Sequence, residues 1–405
     1  MMPLSLVRGK KPSATKLLSF LSIFLTVASI CPSNQLTRHR SNPDHDVIII
    51  GGSICGIAIA VALKKQLPVI DAQIYERATS LEPTGALLSL FPNGMTALQN
   101  ILGGLLATRD STATLCDILN KQSVSFQHTI TKEVQAGQVV DEKVIKTTEK
   151  TNEGKSPGKF ILWHQLQIIL LKALEAVSLE NDYSLSLGCE FQNYSFDAST
   201  WLIHATFKDR SGITFTKTCR MLIGADGVRS TLRPLISNFG SGYLPTPQIR
   251  SYKRIIFRAL LDRKGIPLEL IPRSGTVVVY KSAKVVGQIF KLQMCSEAKT
   301  IALTATAPTE DTEEVVRQWH TNEVISKWRN AFSDFPQDVL DLVDLCPPSS
   351  VYTNCVCDLQ IDDEDQSPML CWSNGVDPIV LVGDAVHCMT PSLGQGANVS
   401  LEDAI

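Results

Sequence analysis

The chain has 405 residues, 44% of them hydrophobic and 19% charged, with a formal net charge of −2. That length predicts two domains or one large composite one, and the apolar fraction excludes a wholly disordered chain. Lys and Arg are scattered rather than striped, so no electrostatic footprint for nucleic acid exists and no nucleic-acid partner is expected.

Residues 1–43 read as a leader and linker. Arg8, Lys10, Lys11 and Lys16 precede the apolar run "LLSFLSIFLTVASI", and Asp44 is the first acidic residue. A basic stretch followed by an apolar one is the pattern of a signal-like or organelle-targeting segment. The run is shorter than the roughly 20 residues of a membrane span, so a targeting signal is expected rather than a true anchor, and membrane contact through it stays open. The compartment stays open.

From Asp46 the pattern is strand, turn, helix, strand. "VIII" at 47–50 is a β-branched run suited to a parallel strand buried on both faces. Gly51-Gly52-Ser53-Ile54-Cys55-Gly56 follows, and residues 57–63 carry apolar residues and alanines on consecutive helical turns. A second strand spans 72–75 and closes on Glu76, with Arg77 next. This is a βαβ unit with a dinucleotide-type turn, serine standing at the usual second glycine. Gly51 makes the bend and Gly56 permits close helix–strand packing. Gly52 and Ser53 let backbone approach a phosphate, which the helix N-terminus favours. Glu76, 25 residues after Gly51 where about 20 is usual, is placed to grip ribose hydroxyls.

The stretch 128–159 reads as an exposed, charged hairpin ending in the loop "TNEGKSPGK", and 160–174 as an apolar helix. "CRMLIGADGVRSTLRP" then ends a buried strand in an Asp226-Gly227 turn. Its carboxylate can lie beside cofactor hydroxyls, or the turn can be an ordinary Asp-Gly turn held by its own side chain. Arg229 and Arg233 are expected beside a pyrophosphate. Residues 252–261 and 276–292 alternate like antiparallel strands, 311–335 looks helical, and 358–365 is an acidic, solvated loop. A last buried strand at 378–382 delivers Gly383 and Asp384. Pro391 and the Gly394-Gln395-Gly396 turn then feed a helix beginning near Ala397 and Asn398. Asn398-Val399-Ser400 is also a glycosylation sequon, and a glycan there would block the site. His387 and Met389 read as packing or rim residues.

Eleven cysteines include no Cys-x-x-Cys pair, and Cys355-Val356-Cys357 has no partner pair at metal spacing. Neither a metal nor a disulfide is expected. The fold class is α/β: a discontinuous Rossmann-type nucleotide-binding domain, 44–240 and 375–405, with an antiparallel β-sheet substrate domain inserted at 241–374.

Together "GGSICG", "GADGVRSTLR" and "LVGDAVHCMTPSLGQGANVSLEDA", with "GALLSLFPNGMTAL" at 85–98, resemble the FAD-dependent monooxygenases of the p-hydroxybenzoate hydroxylase fold, aromatic-ring hydroxylases whose FAD domain is glutathione-reductase-like. The resemblance implies FAD held by Gly51, Gly52, Ser53, Gly56, Glu76, Arg77, Asp226, Gly227, Gly383, Asp384, Pro391, Gly394, Gly396, Ala397 and Asn398. It also implies NAD(P)H as a transient co-substrate. O2 would react to a flavin C4a-(hydro)peroxide that hydroxylates or epoxidises a small aromatic or olefinic, isoprenoid-like substrate. No catalytic acid or base can be named. Two departures stand out: Trp163 replaces an FAD-contacting arginine of many relatives, and the sequence stops at Ile405, where relatives continue, so a C-terminal truncation is expected. A flavoprotein reductase or dehydrogenase of the same fold, and a degenerate flavin-binding fragment, remain as alternatives.

Overall fold

The computed structural model describes residues 42–81, 87–108, 111–146, 158–178, 184–237, 248–295, 300–360, 372–373 and 376–405. The leader-like segment, most of the "TNEGKSPGK" loop and the acidic residues after 360 fall outside them. Among the described residues, no helix is long and apolar enough to cross a membrane.

The βαβ unit forms as its pattern requires: strand His45–Ile50, helix Ile54–Gln66 and strand Ala72–Glu76. The helix is apolar nearly all round and is buried along most of its length, as befits one sandwiched between other elements. The sheet runs Leu185–Leu187, Ala72–Glu76, His45–Ile50, Thr214–Gly224, Leu202–Lys208 and Glu190–Asp197. Ile379–Leu381 also pairs in parallel with Thr214–Gly224. Five neighbouring strands are therefore parallel, and their C-terminal ends lie side by side. Helix Trp163–Val177 packs on Ile54–Gln66, and Gly396–Glu402 packs on Pro92–Leu102.

The second sheet has the order Tyr352–Gln360, Gln248–Asp262, Thr300–Pro308, Ile289–Met294, Thr276–Ser282, His128–Gln135, Gln138–Lys146. All its pairings are antiparallel except that between Thr276–Ser282 and His128–Gln135. The hairpin of 128–146 thus forms, but it extends the inserted sheet instead of standing apart on the nucleotide-type domain. Its outer strand, Gln138–Lys146, is exposed throughout and pairs back on His128–Gln135. Other expectations shift locally. Residues 159–162 are a short strand before the helix, and the helical stretch after 311 divides into Glu313–Arg317 and Thr321–Ala331. Asp358 is not in a loop: it belongs to strand Tyr352–Gln360 and accepts from Arg250 Nε and Nη2 at 3.1 and 2.7 Å.

The inserted sheet is backed by its own core. Trp328 is fully buried, with its ring stacked on Phe257 at 5.3 Å and 12° and a second contact to Phe290 at 5.7 Å. Its indole Nε1 has no hydrogen-bond partner, so the ring is held by packing alone. Trp328→Ala is expected to lower the unfolding free energy by about 3–5 kcal/mol, measured by chemical denaturation. Trp328→Phe should lose much less, since no polar contact goes with the indole.

Candidate functional site

Three backbone hydrogen bonds bring the motif turns together at the ends of the parallel strands. Gly51 N–H donates to Tyr75 O at 2.9 Å, Ala225 N–H to Ile50 O at 2.8 Å, and Val382 N–H to Gly224 O at 2.9 Å. The glycines are steric requirements there. Gly51 has φ +106°, and a Cβ on it would come within 2.4 Å of Ala225 O; on Gly56 it would lie 2.0 Å from Gly51 O. Gly383, at φ +58°, closes on the first helix, where a Cβ would stand 2.9 Å from Cys55 Sγ. Cys55 Sγ in turn lies 3.5 Å from Ser400 O as a donor, joining residues 345 apart in sequence.

These turns line one wall of a cavity of about 1500 Å³. Gly51, Gly52, Ser53, Glu76, Arg77, Asp226, Gly227, Asp384, Pro391, Gly394, Gly396 and Ala397 all lie on it. Ser53 is exposed and makes no side-chain capping bond, so its hydroxyl is open to a ligand. Glu76 accepts from Gly52 N–H and Ala78 N–H, each at 2.7 Å. The carboxylate therefore fixes the glycine turn and keeps further lone pairs toward the cavity. Asp226 holds its own turn: Oδ2 accepts from Thr231 and Leu232 N–H at 2.8 and 3.2 Å, while Oδ1 is buried with no hydrogen-bond partner. Asp384 faces the cavity, yet enclosure by the surrounding chain pushes its carboxyl up, with His387 opposing and Asp403 adding to the shift.

Three expectations need correction. Arg233 does not face a pyrophosphate: its guanidinium turns inward and donates to Ala385 O at 2.7 Å and Val228 O at 2.6 Å, tying the second motif to the third. Arg229 lines the cavity but is paired with Glu313 at 2.6 Å. Asn398 is fully buried and away from the cavity. Its Oδ1 accepts from Phe91 N–H at 2.8 Å, and its Nδ2 donates to Ser89 O and Gly394 O at 2.8 and 2.9 Å. With every side-chain polar atom used, it clamps the last helix to residues 89–91, and its sequon is closed to glycosylation in the folded chain.

Other residues carry the site without having been singled out. Gln167 donates to Gly52 O at 3.2 Å. Asp403 Oδ2 accepts from Gly383 N–H and pairs with His387 Nε2, both at 2.7 Å. The opposite wall is the face of the inserted sheet, where Arg254, Arg258 and Lys291 line the cavity. Arg254 and Arg258 are four residues apart in one strand and so share a face, which was the available signal. Burial lowers Arg258 and Lys291 from their ordinary values, Lys281 adding to the second. Arg258 Nη1 donates to Asn354 Oδ1 at 2.7 Å, and Arg254 Nη2 is buried with no partner.

A family model described as an FAD binding domain matches residues 44–405. The chain belongs to this family. It is 24% identical over 367 residues to 2-heptyl-3-hydroxy-4(1H)-quinolone synthase of Pseudomonas aeruginosa, covering 88% of this chain and 78% of that protein. It is 25% identical over 360 residues to FAD-dependent urate hydroxylase of Mycolicibacterium vanbaalenii, covering 89% and 78%. The fold is similar to that of Klebsiella pneumoniae HpxO complexed with FAD and uric acid, at TM-score 0.66 and 20% identity, covering 91% and 80%. The chain is thus an FAD-dependent monooxygenase of the p-hydroxybenzoate hydroxylase-like family, as its three motifs implied, with a Rossmann-type FAD domain and a second, substrate-binding domain.

One titration follows from the third motif. Burial of the His387 imidazole opposes its charge, but the Asp403 hydrogen bond and the Asp403 and Asp384 charges outweigh it, so His387 lies above its ordinary value of 6.5. A raised value in the folded state stabilises most below the unfolded value, and the contribution is lost as pH rises through the folded one. Unfolding free energy of the natural chain should therefore fall as pH rises above about 6.5, and His387→Gln should flatten that slope in denaturation curves taken across the window.

Proposed function

We propose that this flavoenzyme hydroxylates a small, electron-rich ring or olefin that carries an ionised or ionisable acidic group. What carries the reading is the polarity of the cavity. One wall bears Glu76, Asp226 and Asp384; the sheet face opposite bears Arg254, Arg258 and Lys291, and no carboxylate among its described lining residues.

The first wall fits FAD. Glycines at 51 and 56 leave room that a Cβ would fill, and Asp226 Oδ1 is an orphaned buried acceptor of the kind a hydroxyl-bearing ligand satisfies. Gly51, Gly52 and Ser53 would hold the diphosphate, with the Ile54–Gln66 helix turning its N-terminus toward that charge. Glu76, Asp226 and Asp384 would accept from ribose and ribityl hydroxyls. Arg77, exposed at the rim, would reach phosphate where Trp163 stands in place of the family's arginine. Pro391, Gly394, Gly396 and Ala397 would line the ring, and Gly227 and Gly383 would shape the turns. When bound, FAD supplies hydride acceptance from NAD(P)H and activation of O2.

The chain's own share is to bind, orient and exclude water. Asp403 keeps Gly383 and His387 in place, so Asp384 presents its carboxylate at a fixed position. Burial lowers the cost of stripping water from a ligand anion only if fixed positive charge replaces it. Arg254, with a guanidinium nitrogen lacking a partner, and Arg258 and Lys291, disfavoured as cations by burial, meet that condition. A phenol held there is favoured as phenolate, the form richer in electrons.

Substrate-stimulated consumption of NAD(P)H and appearance of one labelled atom from ¹⁸O2 in the product test the reading; reduction without label would replace it with a reductase. Arg258→Met and Lys291→Met should each raise KM for an anionic substrate about tenfold or more, as loss of a charged hydrogen bond of roughly 1.5–3 kcal/mol requires, with flavin content unchanged. Asp384→Ala should instead weaken flavin retention, by about 1–3 kcal/mol for a lost charged acceptor, read by flavin fluorescence after dialysis.

A further inference from the structure

Three cysteines that the flavin chemistry leaves unused line the cavity where its two walls meet: Cys355 and Cys357 of strand Tyr352–Gln360, and Cys388 just after the short helix Asp384–His387. The segments are bonded to one another. Leu359 N–H donates to Cys388 O at 3.1 Å, and Cys388 Sγ lies 4.0 Å from Cys357 O. Against the opposing effect of burial, hydrogen bonding by the Cys388 side chain holds the Cys357 thiol below its usual range, with Glu313 opposing further and Arg229 helping. The same influence, with burial and Asp384, pushes Cys388 up. One sulfur is therefore readied as a nucleophile and its neighbour holds a proton. Both are half-buried on the cavity wall, within reach of a small solute. Cys295 and Cys346, by contrast, are buried and pushed up to about 12.

We propose that Cys357 and Cys388 form a peroxide-responsive dithiol whose oxidation closes a disulfide between the inserted sheet and the turn that carries Asp384. The oxidant is hydrogen peroxide. The Cys357 thiolate attacks one peroxide oxygen, the O–O bond breaks, and hydroxide leaves as water after taking a proton; Cys357 becomes a sulfenic acid. The Cys388 sulfur then attacks the Cys357 sulfur, the S–O bond breaks, and a second water carries off the oxygen and the Cys388 proton. In sum two thiols give up two electrons and two protons, and peroxide is reduced to two waters. Reduction by an external dithiol reverses the step. The bond would staple the two walls where they are now joined by the Leu359–Cys388 hydrogen bond. This chemistry needs no oxygen transfer to substrate, so it stands or falls apart from the proposed function.

The test uses the full chain, reduced, freed of reductant, exposed to one equivalent of hydrogen peroxide, alkylated and digested without reductant. The expected result is a linked pair of peptides containing Cys357 and Cys388, abolished by dithiothreitol, with oxidation at Cys357 at least about tenfold faster than at Cys295 or Cys346. Cys388→Ser should stop at a sulfenic acid on Cys357 that dimedone traps, and Cys355→Ser should link as the natural chain does. A link through Cys355, linkage that survives Cys357→Ser, or an unreactive Cys357 would overturn the proposal. The peptide map of the natural chain decides the matter even where a variant fails to fold.

Discussion

The whole arrangement depends on one constraint: five adjacent strands run parallel and stop together. Parallel pairing fixes which residue of each strand lies level with which, and Ile50, Tyr75, Gly224 and Leu381 end in register. The chain leaving each strand must then turn in the same small space. That crowding explains why a Cβ on Gly51 or Gly56 would strike a carbonyl oxygen, and why Arg233 and Asp403 spend their polar groups on neighbouring turns. Ligands of open parallel sheets bind outside the carboxyl ends of the strands for this reason: the backbone there is exposed, close-packed and pre-ordered.

The pieces legible in the sequence are those whose signal is local. The βαβ unit announces itself by a β-branched run, a glycine turn and an alanine-rich helix, and each short motif carries the residues its own turn needs. What lay beyond reach depends on partners distant in the chain. Asn398 sits in a glycine-rich motif and looks ligand-facing, yet its amide is consumed by residues 89–91. Arg233 follows the Asp-Gly turn closely enough to suggest a phosphate partner, but six residues of turn and helix carry it inward to Ala385. The hairpin at 128–146 carries strand-like residues and no mark of which sheet it joins; only the pairing of His128–Gln135 with Thr276–Ser282 decides that.

The two walls of the cavity do different electrostatic work. Carboxylates at strand ends offer acceptors for hydroxyls, and several are already partly engaged with backbone amides, which removes the cost of ordering them when a ligand arrives. The cations of the sheet face are less satisfied. Arg254 keeps a buried nitrogen without a partner, a state that folded proteins retain chiefly where something else completes it. Binding and stability therefore pull in opposite directions on that face, as is common where a site is kept ready for a charged guest.

The pairing of Ile379–Leu381 with Thr214–Gly224 also has a kinetic meaning. Leu222 meets Ile379 across more than 150 residues of intervening chain, so this partner of Thr214–Gly224 is made long after the strand itself. Until it arrives, an apolar edge lies bare while the inserted sheet, whose pairings are mostly nearer in sequence, is free to form first. Closure entropy of that kind slows folding and lengthens the life of sticky intermediates. Slow closure is the natural outcome of a cofactor crevice assembled from stretches far apart in the chain.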